Sequence, residues 1–221
     1  MPAERPLRHG TSAGYALIET MRREANGTIP RRARHLARMA SSADALGFAF
    51  DRDEAESLLD GLPREDALRV RLDLSQDGRF ALTTSPFTPI GPDTVWRVAI
   101  AGTRLDASDP LRRHKTDSRA VYADARAEFG TDAIDEVLLL NTENELAEGT
   151  ITNIFLDQGD GMLVTPRLQS GALPGILRGE LLDQGKAVEA RLGLDDLRPA
   201  KRVFVGNSLR GLIAARLEND A

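Results

Sequence analysis

The chain reads as a mixed α/β (α+β) fold, and three features of its sequence predict this. Alternating apolar runs flank Asp77-Gly78, the strongest short-range hairpin signal. The stretch 31–47 repeats apolar residues at helical spacing and closes on Gly47, as an amphipathic helix does. Between 135 and 166, apolar runs separated by polar turns read as three strands, the last ended by Pro166.

In chain order, 15–22 is a strand followed by a turn at Asn26-Gly27. Leu36, Met39, Ala40 and Leu46 form the apolar stripe of the first helix. An acidic cap region opens a second helix over 51–62. The hairpin occupies 67–86, and "VWRVAIAG" (95–102) is another strand. Thr116 or Asp117 can cap a helix that runs to Phe129 and stops at Gly130. After the three strands, "LQSGALPGILRGELLDQG" is a glycine-bearing loop opening a helix near Gly175. "AVEARL" and "RVFVGN" read as strands, and "SLRGLIAARLE" as a strand or a short helix. There is no internal repeat and no low-complexity linker.

At 221 residues the chain can bury a substantial core as one large domain or two small ones. Its formal net charge is -5, and its arginines alternate with acids in place of a basic run. Nucleic acid is therefore not an expected partner. No apolar stretch approaches membrane-spanning length, and "MPAERPLRHG" lacks the apolar core of a signal peptide. Cysteine is absent, which excludes disulfides and thiolate chemistry. His9, His35 and His114 fall in no metal-ligand spacing and are expected to be surface or packing residues. The expectation is a soluble cytoplasmic protein with a small-molecule partner, no metal and no membrane.

Lys115 is one of three lysines in a chain that otherwise uses arginine for positive charge. A lysine can lose its proton when desolvated, whereas arginine cannot. The neutral amine then forms a Schiff base with a carbonyl. The alternative is a solvated lysine at a helix start. Glu148 lies in "ELAEGTITN", as an active-site carboxylate or as a plain turn residue. Pro174 and Gly175 lead into a helix whose first amides, at Gly175, Ile176 and Leu177, would lack intrahelical partners. Such an end binds anions, or is simply a Gly/Pro helix start. An amine, a carboxylate and a phosphate cradle are together the parts that pyridoxal 5'-phosphate chemistry requires.

The ordered motifs "LIETMR" (17–22), "RHLARM" (34–39), "RHKTDSR" (113–119), "ELAEGTITNIF" (145–155), "TPRLQSGALPGILRGELL" (165–182) and "VFVGNSLRG" (203–211) carry a family likeness over nearly the whole chain. The sequence resembles the class IV aminotransferase family, the fold-type IV pyridoxal-phosphate enzymes, and within it most resembles 4-amino-4-deoxychorismate lyases. The resemblance implies two small domains, 1–106 and 107–221, with the cofactor in the cleft between them, and a homodimer. It implies that Lys115 is the Schiff-base lysine and that Glu148 faces the pyridine nitrogen. Arg38, three residues after His35, would contact the cofactor phosphate, as would the amides of Ile176 and Leu177. Asn207 and Ser208 would close the phosphate site, Asn153 would lie beside the ring, and Thr20 would assist proton transfer. Tyr122 has a packing role on its helix as the alternative to approaching the cofactor.

Three departures from the family pattern stand out. Leu177 replaces the threonine of branched-chain enzymes, "HKTD" replaces "HKTT", and only about fifteen residues precede "LIETMR". The implied activity is lysis of aminodeoxychorismate to 4-aminobenzoate and pyruvate, a step of folate biosynthesis. The alternatives are transamination of branched-chain or D-amino acids, and an inactive pyridoxal-phosphate-binding protein. Arg22, Arg69, Arg71, Arg97 and Arg210 are unranked candidates for binding substrate carboxylates.

Overall fold

The computed structural model describes residues 14–63, 66–130 and 133–218. His9 and the short segment ahead of "LIETMR" lie largely or wholly outside the described residues. The chain divides into two compact units. One is Met1–Thr88 with His114–Ser118, and the other is Pro89–Arg113 with Arg119–Ala221. The division differs from a boundary at 106/107 because strand pairing, and not sequence order, decides membership.

In the first unit, β1 (Leu17–Arg23), β2 (Leu68–Leu74) and β3 (Phe80–Pro86) form an antiparallel sheet in that order. Gly78 takes φ 90° in the β2–β3 turn, and a Cβ there would lie 3.0 Å from the Ala49 Cβ. Both facts favour glycine. Helix α1 (Arg32–Leu46) buries His35, Leu36, Met39, Ser42, Ala43 and Leu46, a single helical stripe. It ends where Gly47 turns left-handed at φ 73°. Helix α2 (Arg52–Asp60) is capped by the Asp51 carboxylate, which accepts from the amides of Asp53 and Glu54. Leu17, Met21, Val70, Leu72 and Leu74 are all at most 1% exposed. Alternation along the strands puts these residues on one face of the sheet.

The segment around Lys115 joins this sheet. The Ile18 amide donates to the Lys115 carbonyl at 2.9 Å, the Asp117 amide donates to the Ala16 carbonyl at 3.1 Å, and Thr116 bridges Leu17. The Asp117 carboxylate accepts from the Ala16 amide at 2.8 Å. Neither Thr116 nor Asp117 therefore caps a helix. Helix α3 (Ala120–Ala127) begins after Arg119 with no side-chain cap and ends at Glu128. Pairing with β1 occupies the polar groups that local reading assigned to the cap.

The second unit holds an eight-stranded sheet. Its strands are β4 (Val95–Leu105), β5 (Glu136–Asn141), β6 (Leu146–Gly149), β7 (Asn153–Asp157), β8 (Leu163–Pro166), β9 (Ala187–Ala190), β10 (Arg202–Asn207) and β11 (Gly211–Leu217). Their order is β6-β5-β4-β11-β10-β7-β8-β9. The region 135–166 thus contributes four strands where three were expected, because "EGTITN" breaks β6 from β7. The segment left open as strand or helix is the strand β11. β5 is buried at every position, as its unbroken apolar run requires when both faces are covered. Leu138 and Leu140 join a cluster with Val98, Ile154, Leu156, Val205 and Ile213. Val137 and Leu139 join Ala99, Ala101 and Ala125 of α3. Helix α4 (Ile176–Asp183) packs Leu177 and Leu181 on Phe155. The short helix α5 (Leu194–Leu197) has no counterpart in the sequence reading. Among the described residues, no helix is long and apolar enough to cross a membrane.

Candidate active site

The first unit presents Lys115 by register. Thr116 lies opposite Leu17 on the helix-covered face, so Lys115, one residue away, belongs to the other face, with Ile18 and Thr20. His114 agrees with this alternation: its Nδ1 lies 3.0 Å from the Ser42 Oγ of α1, on the helix side. Burial holds the His114 imidazole below its ordinary pKa. Across the same open face, Thr20 pairs with Arg71 and then Thr83, and Arg22 pairs with Arg69 and then Ser85. Directly opposite residues of a ladder share a face. One surface therefore carries Lys115, two hydroxyl side chains beside Arg71, and Arg22 directly against Arg69.

Arg38 stands on the helix side of the unit. Its Nε and Nη2 donate to the two oxygens of Glu19, each at 2.7 Å. His35 Nδ1 donates to Glu19 Oε2 at 2.6 Å. Glu19 is 1% exposed. Burial pushes its carboxyl up, but the Arg38 charge and the bonds from His35 outweigh burial and hold it down at about 2. Arg38 and His35 stand in the motif singled out in the sequence, whereas Glu19, which joins them, was not singled out although it lies in "LIETMR". Glu19 fixes the plane of the guanidinium through two parallel bonds.

The second unit presents Glu148 on β6, opposite Leu139 and 4% exposed. The Tyr122 hydroxyl donates to Glu148 Oε1 at 2.5 Å, and the Leu173 amide donates to Oε2 at 2.9 Å. Glu148 is thus a buried, aimed carboxylate and not a solvated turn residue. The turn that follows is held by Glu136, fully buried. Its carboxylate accepts from the amides of Val137, Thr150 and Ile151 and from the hydroxyls of Thr150 and Thr152. A Cβ at Gly149 would lie 2.3 Å from Thr152 Oγ1 and 2.9 Å from Glu136, so this turn demands glycine. Glu136 was invisible in the sequence because only the fold brings it to residues fourteen to sixteen positions ahead.

Asn153, the first residue of β7, donates from Nδ2 to the Leu173 carbonyl at 3.0 Å. It therefore pins the loop before α4. Gly175 is the N-cap of α4, with no side-chain cap. Its own amide donates to the Leu173 carbonyl at 2.8 Å, which corrects the expectation that it would be an orphan. The amides of Ile176 and Leu177 stand in the first turn, ahead of the helix's own ladder. A Cβ at Gly175 would fall 1.9 Å from Asn153 Oδ1. Arg178, 3% exposed, donates to the Pro166 carbonyl at 2.8 Å and pairs with Glu189, anchoring the helix from behind. Asn207 shapes the β10–β11 turn: Oδ1 accepts from the amides of Leu209 and Arg210, and Nδ2 donates to the Ile151 carbonyl. Ser208 is half-buried in that turn. A Cβ at Gly206 would lie 2.8 Å from the Gly211 carbonyl and 3.1 Å from Leu177 Cδ2. An uncapped helix start crowded by glycines suits a phosphate monoester, so these residues fit a phosphate-bearing cofactor.

Of the remaining arginine candidates, Arg97 bonds Asp135 and Arg210 lies 5.9 Å over the Trp96 ring. Among the described residues, no group of three or more His, Asp or Glu side chains is arranged to hold a metal.

The sequence profile of the amino-transferase class IV family matches residues 16–217. The chain belongs to that family. A solved Mesorhizobium loti structure, assigned as an amino-acid aminotransferase, is 51% identical with a TM-score of 0.88, covering 92% of this chain and all of that one. A Schizosaccharomyces pombe protein assigned as an aminodeoxychorismate lyase is 28% identical over 183 residues, 80% of this chain and 79% of its own. A Thermotoga maritima protein assigned as a branched-chain-amino-acid aminotransferase is 28% identical over 200 residues, 85% of this chain and 71% of its own. The class IV family comprises pyridoxal-phosphate-dependent lyases and aminotransferases, and this chain has its mixed α/β, fold-type IV architecture.

Proposed function

We propose that this class IV enzyme is a pyridoxal-phosphate-dependent 4-amino-4-deoxychorismate lyase. The observation that carries this reading is the open face of the first unit's sheet. Arg22 lies directly opposite Arg69, and Arg71 pairs with Thr20. Arg22 Nη2 pairs with Glu24 at 2.6 Å and Arg71 with Asp73 at 2.6 Å, but like charges opposed on a ladder are destabilising. Arg22 Nε is buried without a hydrogen-bond partner among the described residues. A surface of this kind suits a polar substrate bearing two carboxylates, as aminodeoxychorismate does, because guanidinium groups bind carboxylates in a bidentate way. A branched aliphatic side chain gains nothing from it.

Lys115 would carry the cofactor covalently. Arg38, the amides of Ile176 and Leu177, and the turn at Asn207 and Ser208 would hold its phosphate. When bound, the cofactor supplies an electron sink for the bonds to the substrate's amine-bearing carbon. Glu148 would hold a proton on the ring nitrogen. Lys115 Nζ, freed when the substrate amine takes its place, would take the proton from the amine-bearing carbon as general base. Thr20, on the same face as Lys115, would relay that proton to the departing enolpyruvyl group as its C–O bond to the substrate ring breaks, so that the substrate ring becomes aromatic and the protonated enol leaves as pyruvate. The homodimer expected from the family likeness and the cytoplasmic setting expected from the composition belong to this proposal.

Transamination is the second reading, favoured by the assignment of the 51% identical Mesorhizobium loti structure. The two readings separate in one experiment. Loaded protein is incubated with aminodeoxychorismate, and in parallel with L- and D-amino acids plus keto acids. Release of 4-aminobenzoate and pyruvate is expected, and Arg69→Met should raise KM for that reaction at least tenfold, the loss of a charge-assisted contact worth about 1.5–3 kcal/mol. Robust transamination with no 4-aminobenzoate overturns the lyase reading.

A further inference from the structure

The second unit holds a side-chain arrangement that the roles above do not use. Tyr122, on α3, points its hydroxyl at Glu148 Oε1 at 2.5 Å. Two guanidinium groups lie over its ring: Arg119 at 4.5 Å and Arg112 at 5.3 Å from the centroid. Both arginines are themselves fixed, Arg119 by donating to the Thr150 carbonyl and Arg112 by Asp109 at 3.2 Å. The ring is thus held by cation–π contacts, and its only polar atom meets the carboxylate.

We propose that Tyr122 is a positioning residue for Glu148, setting where the carboxylate presents its charge to the cofactor's ring nitrogen. This rests on the reading of Glu148 given above. A carboxylate on a flexible two-carbon arm has several rotamers. The Leu173 amide holds Oε2 and the Tyr122 hydroxyl holds Oε1, so each oxygen of the carboxylate has a fixed donor. The tyrosine is suited to the task because burial, and next the Glu148 charge, hold its phenol above the ordinary value. It remains a protonated donor throughout the working range. Arg112 and Arg119 act in the opposite sense, and more weakly. A phenylalanine would fill the same slot and leave Glu148 Oε1 without this donor.

The test compares the parent, Tyr122→Phe, Glu148→Gln and the double variant, each loaded with pyridoxal 5'-phosphate. The readout is the pH midpoint of the visible absorbance of the lysine-bound cofactor. A positive ring nitrogen disfavours protonation nearby. Weakening the hold on that charge should therefore raise the midpoint, by roughly half to one pH unit in Tyr122→Phe. In the Glu148→Gln background the same substitution should add almost nothing, because the tyrosine acts through the carboxylate. A merely structural tyrosine would lower the melting temperature of the Phe variant and leave the midpoint in place. A parent that binds no cofactor overturns the functional reading itself. A parent that binds it, with an unmoved midpoint in Tyr122→Phe or an undiminished shift in the double variant, overturns this inference alone.

Discussion

At the scale of single residues, Lys115 and Arg38 show how differently two cations are used. Arg38 is committed by two parallel bonds to Glu19, a geometry lysine cannot reproduce. Lys115 precedes an isolated bridge between Thr116 and Leu17, and its carbonyl accepts from the Ile18 amide, so backbone pairing beside β1 fixes its position. Borohydride reduction of the loaded protein, followed by peptide mapping, should place the pyridoxyl label on Lys115. A label on Lys186 or Lys201 would refute the assignment. Arg38→Ala should weaken cofactor affinity by about 10- to 100-fold, the loss of a charge-assisted bond worth roughly 1.5–3 kcal/mol; unchanged affinity by spectroscopic titration would move the phosphate site elsewhere. Lys115, Glu148 and Arg38 were legible in the sequence because each lies in a dense family motif. Glu19 carried the same signal in "LIETMR", but its pairing was not legible, nor were the pairings of Glu136 and of the Tyr122 hydroxyl. Their partners lie sixteen, fourteen and twenty-six positions away, and no local pattern encodes such a pairing.

At the scale of elements, the loop into α4 joins packing to binding. Asn153 reaches across Gly175 to the Leu173 carbonyl, and the Leu173 amide reaches Glu148. One short stretch therefore connects the helix start to the carboxylate. In Gly175→Ala, the new Cβ would sit 1.9 Å from Asn153 Oδ1. Asn153 must turn away, and overpacking of this kind costs about 1–3 kcal/mol. The melting temperature and the cofactor affinity should fall together. Gly130→Ala, where a Cβ meets nothing within 4 Å, should leave the affinity unchanged. Equal affinities in the two variants would separate the loop from the phosphate site. The helix start at Gly175 and the hairpin at Asp77-Gly78 could be read from sequence because glycine and turn chemistry are local. The start of α3 could not, because Asp117 prefers the Ala16 amide to a capping role.

At the scale of the whole molecule, the titrating groups set a common direction: acid should unfold this protein in stages. His114 is held below its ordinary 6.5 by burial. Its neutral form favours the folded state, so stability is complete above 6.5 and falls as pH drops from there toward the folded value. Glu19 acts lower. Its carboxyl drops from 4.5 to about 2 on folding, which corresponds to on the order of 3 kcal/mol. That stability is present above pH 4.5 and is lost as pH falls through about 2. In the second unit, the carboxyls of Glu145 and Asp135 are also lowered, the first chiefly by the Ser170 hydroxyl and the second chiefly by Arg97. They add to the loss in the same acid range. Urea unfolding midpoints measured from pH 8 to pH 3 should be flat above 6.5, decline modestly below it, and decline steeply below 4.5. The His114→Asn variant keeps a polar partner for Ser42 but cannot titrate. It should remove the first decline and keep the second. A parent profile flat from pH 7 to pH 3, or an Asn variant that still loses stability between 6.5 and 4.5, would show that these buried groups do not govern the acid response.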